Sequence, residues 1–109
     1  MTEIEIQNAI RVALSEVGVV RRNNVGTFYT QDGRAVAVGI PGEPDLTLFL
    51  PKGKIILIEV KTPTGRQSAK QRNFQKHFEQ MGYEYIIMRS VEDAYKLIER
   101  IKGGGEGEQ

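Results

Sequence analysis

The chain has 109 residues, no cysteine, one histidine (His77) and a formal net charge of +1 at pH 7. That length suits one domain with one core. The composition excludes a disulfide scaffold, a thiolate metal site and a zinc site built on imidazoles, leaving oxygen ligands and therefore magnesium, manganese or calcium for any metal. No apolar run is long enough to span a bilayer, the start Met1-Thr2-Glu3-Ile4-Glu5 is too acidic for a signal peptide, and the lack of cysteine fits a reducing cytoplasm.

In chain order, Ile6, Ile10, Ala13, Leu14 and Val17 recur at helical spacing and predict a helix over 3–17. Thr2 and Glu5 form a capping box at its start, and Gly18 is its stop. Val19 to Arg22 reads as a short strand, ended by Asn23-Asn24. Gly26 to Tyr29 and Arg34 to Val38 flank the turn signal Gln31-Asp32-Gly33 and predict a hairpin. A loop over 39–44 leads to two stronger strands, Asp45 to Leu50 and Ile55 to Lys61. Thr62-Pro63-Thr64-Gly65 breaks the chain. Ser68 and Gln71 form a second capping box, opening a helix that runs to about Met81, with Gly82 as its stop. Tyr83 to Met88 is a further strand, with Tyr83 and Tyr85 facing opposite ways. Ser90 caps a last helix from Val91 to Lys102. The Gly/Glu tail 103–109 has nothing to bury and is expected to be disordered, leaving 1–102 as a single domain. The order predicts an α/β fold with a central mixed sheet flanked by helices.

Charge is unevenly spread. Residues 1–50 carry four Lys/Arg against six Asp/Glu, a balance of −2; residues 51–76 carry seven against Glu59 alone, +6; residues 77–109 carry four against seven, −3. A basic segment of that kind attracts phosphate backbones, or forms a solvated helix face.

The strand Ile55-Ile56-Leu57-Ile58-Glu59-Val60-Lys61 is apolar on both faces, which predicts a central strand, yet it ends in charge. Ile55, Leu57, Glu59 and Lys61 share one face; Ile56, Ile58 and Val60 share the other. Pro51-Lys52-Gly53 suits a three-residue hairpin loop, with proline opening a type I turn and glycine supplying the left-handed residue. Leu50 then pairs with Lys54, and counting back sets Asp45 opposite Glu59 on one face. Opposed carboxylates repel, and a divalent cation reverses that sign. Asp45, Glu59 and the Val60 backbone carbonyl, with waters, make a candidate magnesium site, with Lys61 placed to stabilise charge on a phosphodiester. Taken singly, Asp45 also reads as a turn residue after Pro44, and Glu59 with Lys61 as an edge salt bridge.

Pro44-Asp45 followed by Glu59-Val60-Lys61 resembles the PD-(D/E)XK nuclease signature. Together with Glu3 and Gln7, Arg22-Asn23-Asn24, Gly42-x-Pro44-Asp45 and Gly65-x-x-Ser68-x-x-Gln71, the pattern is similar to the VRR-Nuc family from about Glu3 to Ile98. The resemblance implies a restriction-endonuclease-like αβββαβα core and Mg2+- or Mn2+-dependent hydrolysis of DNA, without a small-molecule cofactor. It implies that Asp45 and Glu59 hold the metal and that Lys61 is the catalytic lysine. Stand-alone members of this family are similar to homodimeric Holliday junction resolvases, which implies branched DNA as substrate and the cytoplasm of a bacterial or phage-infected cell as the setting. Larger members act on flaps and crosslinked DNA. Glu43 departs from the small residue more usual before Pro-Asp.

Several assignments stay open at this level. The helical acid of the site is Glu3 or Glu5; Glu3 lies on the stripe of Ile6, Ile10 and Ala13, while Glu5 is explained by capping Thr2. Gln71 either caps Ser68 or joins the site. Arg22, Asn23, Asn24, Lys52, Arg66, Ser68, Lys70 and Arg72 are candidate DNA contacts, although the two asparagines also suit a turn. His77 reads as a partly exposed helix residue. Phe28, Tyr29, Phe49, Phe74 and Phe78 read as core. Besides junction cleavage, a flap nuclease, a sequence-reading nuclease or a DNA-binding module that no longer cuts are the competing functions.

Overall fold

The computed structural model describes residues 1–24 and 26–103. Its helices are α1 (Glu3–Leu14), α2 (Ala69–Gln80) and α3 (Val91–Gly103). Its strands are β1 (Val19–Arg22), β2 (Gly26–Tyr29), β3 (Ala35–Val38), β4 (Leu46–Phe49), β5 (Ile55–Val60) and β6 (Glu84–Met88). The tail expected to be disordered lies outside the described residues except for Gly103, which closes α3. Among the described residues no helix is long and apolar enough to cross a membrane.

Four strands form one mixed sheet in the order β1-β4-β5-β6, and β2 pairs with β3 in a separate hairpin. β5 runs antiparallel to β4 and parallel to β6, with α2 as the crossover between them. Without the inserted hairpin the order is αβββαβα, as expected. Sidedness follows the alternation along β5. Ile56, Ile58 and Val60 join Leu46, Leu48 and Met88 in a core that α1 covers with Ile6, Ile10 and Leu14 and α3 with Ala94, Leu97 and Ile98. On the opposite face Leu57 packs with Phe74 of α2 and Tyr85 of β6, flanked by Ile55, Phe78 and Ile87.

The register between β4 and β5 is Leu46 opposite Ile58, Thr47 opposite Leu57, Leu48 opposite Ile56 and Phe49 opposite Ile55. Leu50 N–H donates to the Lys54 carbonyl at 2.8 Å, closing the three-residue loop that the sequence predicts. The loop's interior differs. Lys52 has φ 67° and Gly53 φ 77°, so two consecutive residues are left-handed and Pro51–Gly53 is a short 3-10 turn rather than a type I turn with one left-handed glycine.

Other local readings shift. α1 ends at Leu14, not 17; Ser15 is its C-cap, its N–H reaching the Ala13 and Arg11 carbonyls. Gly18 is glycine for a different reason than helix stopping. A Cβ there would stand 2.2 Å from the Phe49 carbonyl oxygen, where β1 meets β4. Tyr83 and Tyr85 do not face opposite ways: two residues apart along a strand means one face, and both rings lie against α2, Tyr83 5.9 Å from Phe78 and Tyr85 6.4 Å from Phe74. Phe28, Tyr29 and Phe49 are exposed rather than core, because the β2–β3 hairpin stands apart from the main sheet and Phe49 ends its strand.

Candidate active site

β5 carries Glu59 out of the core on the α2 face, near the end of the strand, and continuing the β4–β5 register one step sets Asp45 opposite it. The aspartate is held from two sides. Its Oδ2 accepts the Val60 N–H at 2.7 Å, and its carbonyl accepts the Asn23 N–H at 2.8 Å. The Asn23 amide also donates to the Pro44 carbonyl at 3.0 Å and to Thr47 Oγ1 at 2.9 Å. Asn23 therefore serves the turn reading: its side chain is spent on fixing the segment that presents Asp45. Asn24 is exposed beside it and lines the cleft.

The loop before Asp45 rests on the start of α2. Gly42 has φ +81°, and a Cβ on it would meet the Lys70 carbonyl oxygen at 2.1 Å. Only glycine allows both the left-handed turn and the close approach. Glu43, the departure from the family pattern, closes this loop on itself by accepting the Ile40 N–H at 3.1 Å.

Glu59 is 1% exposed and is the centre of a polar network. Gln71 Nε2 donates to its Oε2 at 2.8 Å, Lys61 Nζ lies 3.4 Å from the same oxygen, and the Tyr85 hydroxyl donates to Oε1 at 3.4 Å. Gln67 Nε2 in turn donates to the Tyr85 oxygen at 3.4 Å and to Gln75 Oε1 at 3.0 Å. Burial pushes the Glu59 carboxyl up and the nearby Asp45 charge adds to it; Lys61 pulls the other way, and the result is about 7 instead of 4.5. Burial and the Glu59 charge hold the Tyr85 phenol above its ordinary range, so it stays a neutral donor.

Gln71 plays both of the roles open from the sequence. Its Oε1 accepts the Ser68 N–H at 2.8 Å as the capping box requires, while its Nε2 holds Glu59. Lys61 is placed by β5 and by the turn after it. Arg89 Nη1 donates to the carbonyls of Thr62 and Gly65, both at 2.7 Å, and so locks the turn that follows the lysine.

A cleft of about 570 Å³ opens beside Asp45, lined among others by Gln7, Arg22, Asn24, Ser68, Lys70 and Gln71. Of the candidate DNA contacts, Arg22, Asn23, Asn24, Ser68 and Lys70 gather there. Lys52 does not: it sits in the turn at the far end of the β4–β5 hairpin, about 15 Å along the strands from Asp45. Arg72 faces the other side of α2, its Nη1 on the Gln67 carbonyl at 2.8 Å. Arg66 is exposed outside the cleft lining. Glu3 is exposed and lines no part of the cleft: it sits in the first turn of α1, one turn before Gln7, which does line it. Glu5 is the capping partner of Thr2, with bonds of 2.8 and 3.2 Å. His77 is an exposed α2 residue, as read from the sequence.

Sequence reasoning missed Tyr85, Arg89 and any role for Gln7. Tyr85 could have been found from the β5–β6 register, which sets it beside Leu57, two residues before the position paired with Glu59 and so on the same face. Nothing local in the sequence marks Arg89.

Asp45 and Glu59 provide hard oxygen donors on one face, which suits a small divalent cation. Among the described residues no group of three or more acids or histidines is gathered, so a cation here would take two carboxylates and keep much of its water.

A family model described as the VRR-NUC domain matches residues 10–92. A solved structure described as a VRR_NUC domain is 26% identical, with a TM-score of 0.66, over 89% of this chain and 94% of that one. No curated protein matches in sequence.

Proposed function

Since the chain belongs to the VRR-NUC domain family and so carries a nuclease-type domain acting on DNA, we propose that it is a Mg2+- or Mn2+-dependent endonuclease that selects branched DNA such as four-way junctions and works as a homodimer. The observation that carries this reading is the juxtaposition of Asp45 and Glu59 across β4 and β5 with the Lys61 ammonium 3.4 Å from Glu59.

In this reading Asp45 and Glu59 hold the cation, with the Val60 carbonyl as a further oxygen donor, and the bound cation supplies Lewis-acid polarisation of the phosphodiester and an acidified water. The remaining work belongs to the chain. Lys61 offers positive charge to the phosphate oxygens as negative charge grows on them. Gln71 and Tyr85 fix the Glu59 carboxylate so that it does not turn away when it ionises. Arg22 and Lys70, which both line the cleft, draw in the DNA backbone without reading bases.

The dimer is supported by the β2–β3 hairpin. Val36 and Val38 on β3 are 45% and 37% exposed, and a lone two-stranded hairpin is barely stable in water. A second copy covering that arm would also bring two cleavage sites to one symmetric junction.

The test is a cleavage panel of four-way junctions, flaps and linear duplex in Mg2+ or Mn2+, with wild type and Asp45→Ala. Junction cutting by wild type that is lost in Asp45→Ala supports the proposal. Flap cutting alone would change the substrate class, and DNA binding without any cutting would leave a non-cleaving module.

A further inference from the structure

The cleft beside Asp45 is mostly polar, with Arg22, Asn24, Lys70 and Gln71 among its lining residues, and Phe28 of β2 is the one aromatic ring in it. That ring is 54% exposed. The next residue, Tyr29, is 73% exposed and does not line the cleft, because successive side chains of a strand point to opposite sides. A single exposed apolar residue needs no explanation by itself. A bare ring in a polar cleft, in company with two cationic side chains, does.

The chemistry of the ring limits what it can meet there. It carries no charge and no hydrogen-bond donor, so it has nothing to offer a phosphate. It has a flat apolar face, and the flat apolar part of DNA is the nucleobase. Inside an intact duplex both faces of every base are covered by its neighbours. A base shows a free face only where stacking is interrupted, at a branch point, in a single-stranded segment or at a helix end. Arg22 and Lys70 supply the positive charge that holds the backbone of such a nucleotide.

We infer that Phe28 sets the DNA specificity of the cleft: its ring stacks on the base left uncovered at a branch point, while Arg22 and Lys70 hold the adjoining phosphates. This rests on the reading of the cleft as a site for branched DNA, and it gives that selectivity a physical cause. Phe28 pairs with Val36 across the hairpin, so it lies on the same side as the apolar residues proposed above to meet a second copy. Of Phe28, Val36 and Val38, only Phe28 lines the cleft. A subunit contact is the rival role, and it responds differently to substitution.

The test is fluorescence anisotropy of a labelled four-way junction in EDTA, so that nothing is cut. The junction is bound directly, and in competition with relaxed, covalently closed circular duplex, which offers no free base face. The proteins are the full chain as wild type, Phe28→Trp, Phe28→Leu and Phe28→Ala, each also run alone in sedimentation velocity. Stacking needs a ring. Phe28→Leu and Phe28→Ala are expected to bind the junction roughly tenfold more weakly, to bind the circle as wild type does, and to sediment as wild type does. Phe28→Trp is expected to bind the junction at least as tightly as wild type. A subunit contact needs only apolar bulk. Phe28→Leu with wild-type junction affinity, or losses that appear only together with dissociation in sedimentation, would overturn the inference. Equal losses on junction and circle overturn it too, since a stacking ring has nothing to meet in an intact duplex. If wild type prefers the junction and Phe28→Ala keeps that preference, the role of Phe28 falls alone. If wild type binds the junction no better than the circle, the branch-selective reading falls with it.

Discussion

Gln71 Nε2 donates a 2.8 Å hydrogen bond to Glu59 Oε2 while Gln71 Oε1 accepts the Ser68 N–H at the same length. One side chain thus joins the start of α2 to the acid at the end of β5. The helix cannot begin elsewhere without releasing the acid.

The two ends of Gln71 can be separated by mutation. Gln71→Leu removes both bonds and is expected to cost about 1–2 kcal/mol in urea unfolding, with a loss of cleavage. Gln71→Glu keeps a capping carboxylate but sets a like charge against Glu59. It should retain most of the stability at acidic pH, lose it near pH 8, and cut poorly. Equal behaviour of the two variants across pH would contradict this division of roles.

Glu59 makes the metal-free protein sensitive to pH. Its carboxyl titrates near 7 in the folded protein against an ordinary 4.5. Below 4.5 both folded and unfolded chains hold the proton, and above 7 neither does. Between those values the folded chain binds more protons, so folding stability falls as pH rises through the window, by about 3 kcal/mol if the whole shift is expressed. Urea unfolding of wild type and Glu59→Gln in EDTA from pH 4 to pH 8.5 checks this. The wild-type curve should decline across the window, and the Glu59→Gln curve should lack that decline. Mn2+ affinity should rise over the same window, since the cation must displace the proton.

Gly42 is where the Asp45 loop touches α2. Gly42→Ala adds a Cβ 2.1 Å from the Lys70 carbonyl oxygen at a φ of +81°. The loop must lift, and Asp45 with it. The melting temperature should drop and Mn2+ affinity should fall more than tenfold, although the substitution touches neither acid. A melting temperature within a degree of wild type would refute the close packing.

The cleft, not the basic segment as a whole, should govern DNA affinity. Lys70→Glu is expected to weaken junction binding roughly tenfold and to flatten the slope of log affinity against log salt by at least about one. Lys52→Glu, at the far end of the hairpin, should leave both nearly unchanged. Fluorescence anisotropy at several salt concentrations separates the two, and equal losses would move the DNA path off the cleft.

Much of this arrangement is legible in the sequence because it depends on short-range rules. Alternation along β5 puts Glu59 with Leu57 and Ile55, and the Pro51-Lys52-Gly53 loop length alone sets Asp45 opposite Glu59, even though the backbone of that loop is not the type I turn expected. Both capping boxes form as read. What the sequence hides depends on which sheet face each helix covers. The apolar stripe of α1 marks the face that meets the sheet, but not which residue along it borders the cleft: that is Gln7, one turn after the exposed Glu3. Tyr85 required the β5–β6 register, and Arg89 acts on carbonyls of a turn more than twenty residues earlier in the chain. The exposed aromatics of the β2–β3 hairpin read as core because composition cannot tell an arm from a layer of the main sheet.

The central claim is that Asp45 and Glu59 share one divalent cation. Crystals grown at pH 8 in manganese, with diffraction recorded at the manganese absorption edge, address it directly. The account predicts an anomalous peak between the two carboxylates, within coordination distance of an oxygen from each. A peak elsewhere, or none with the two acids turned apart, would contradict it.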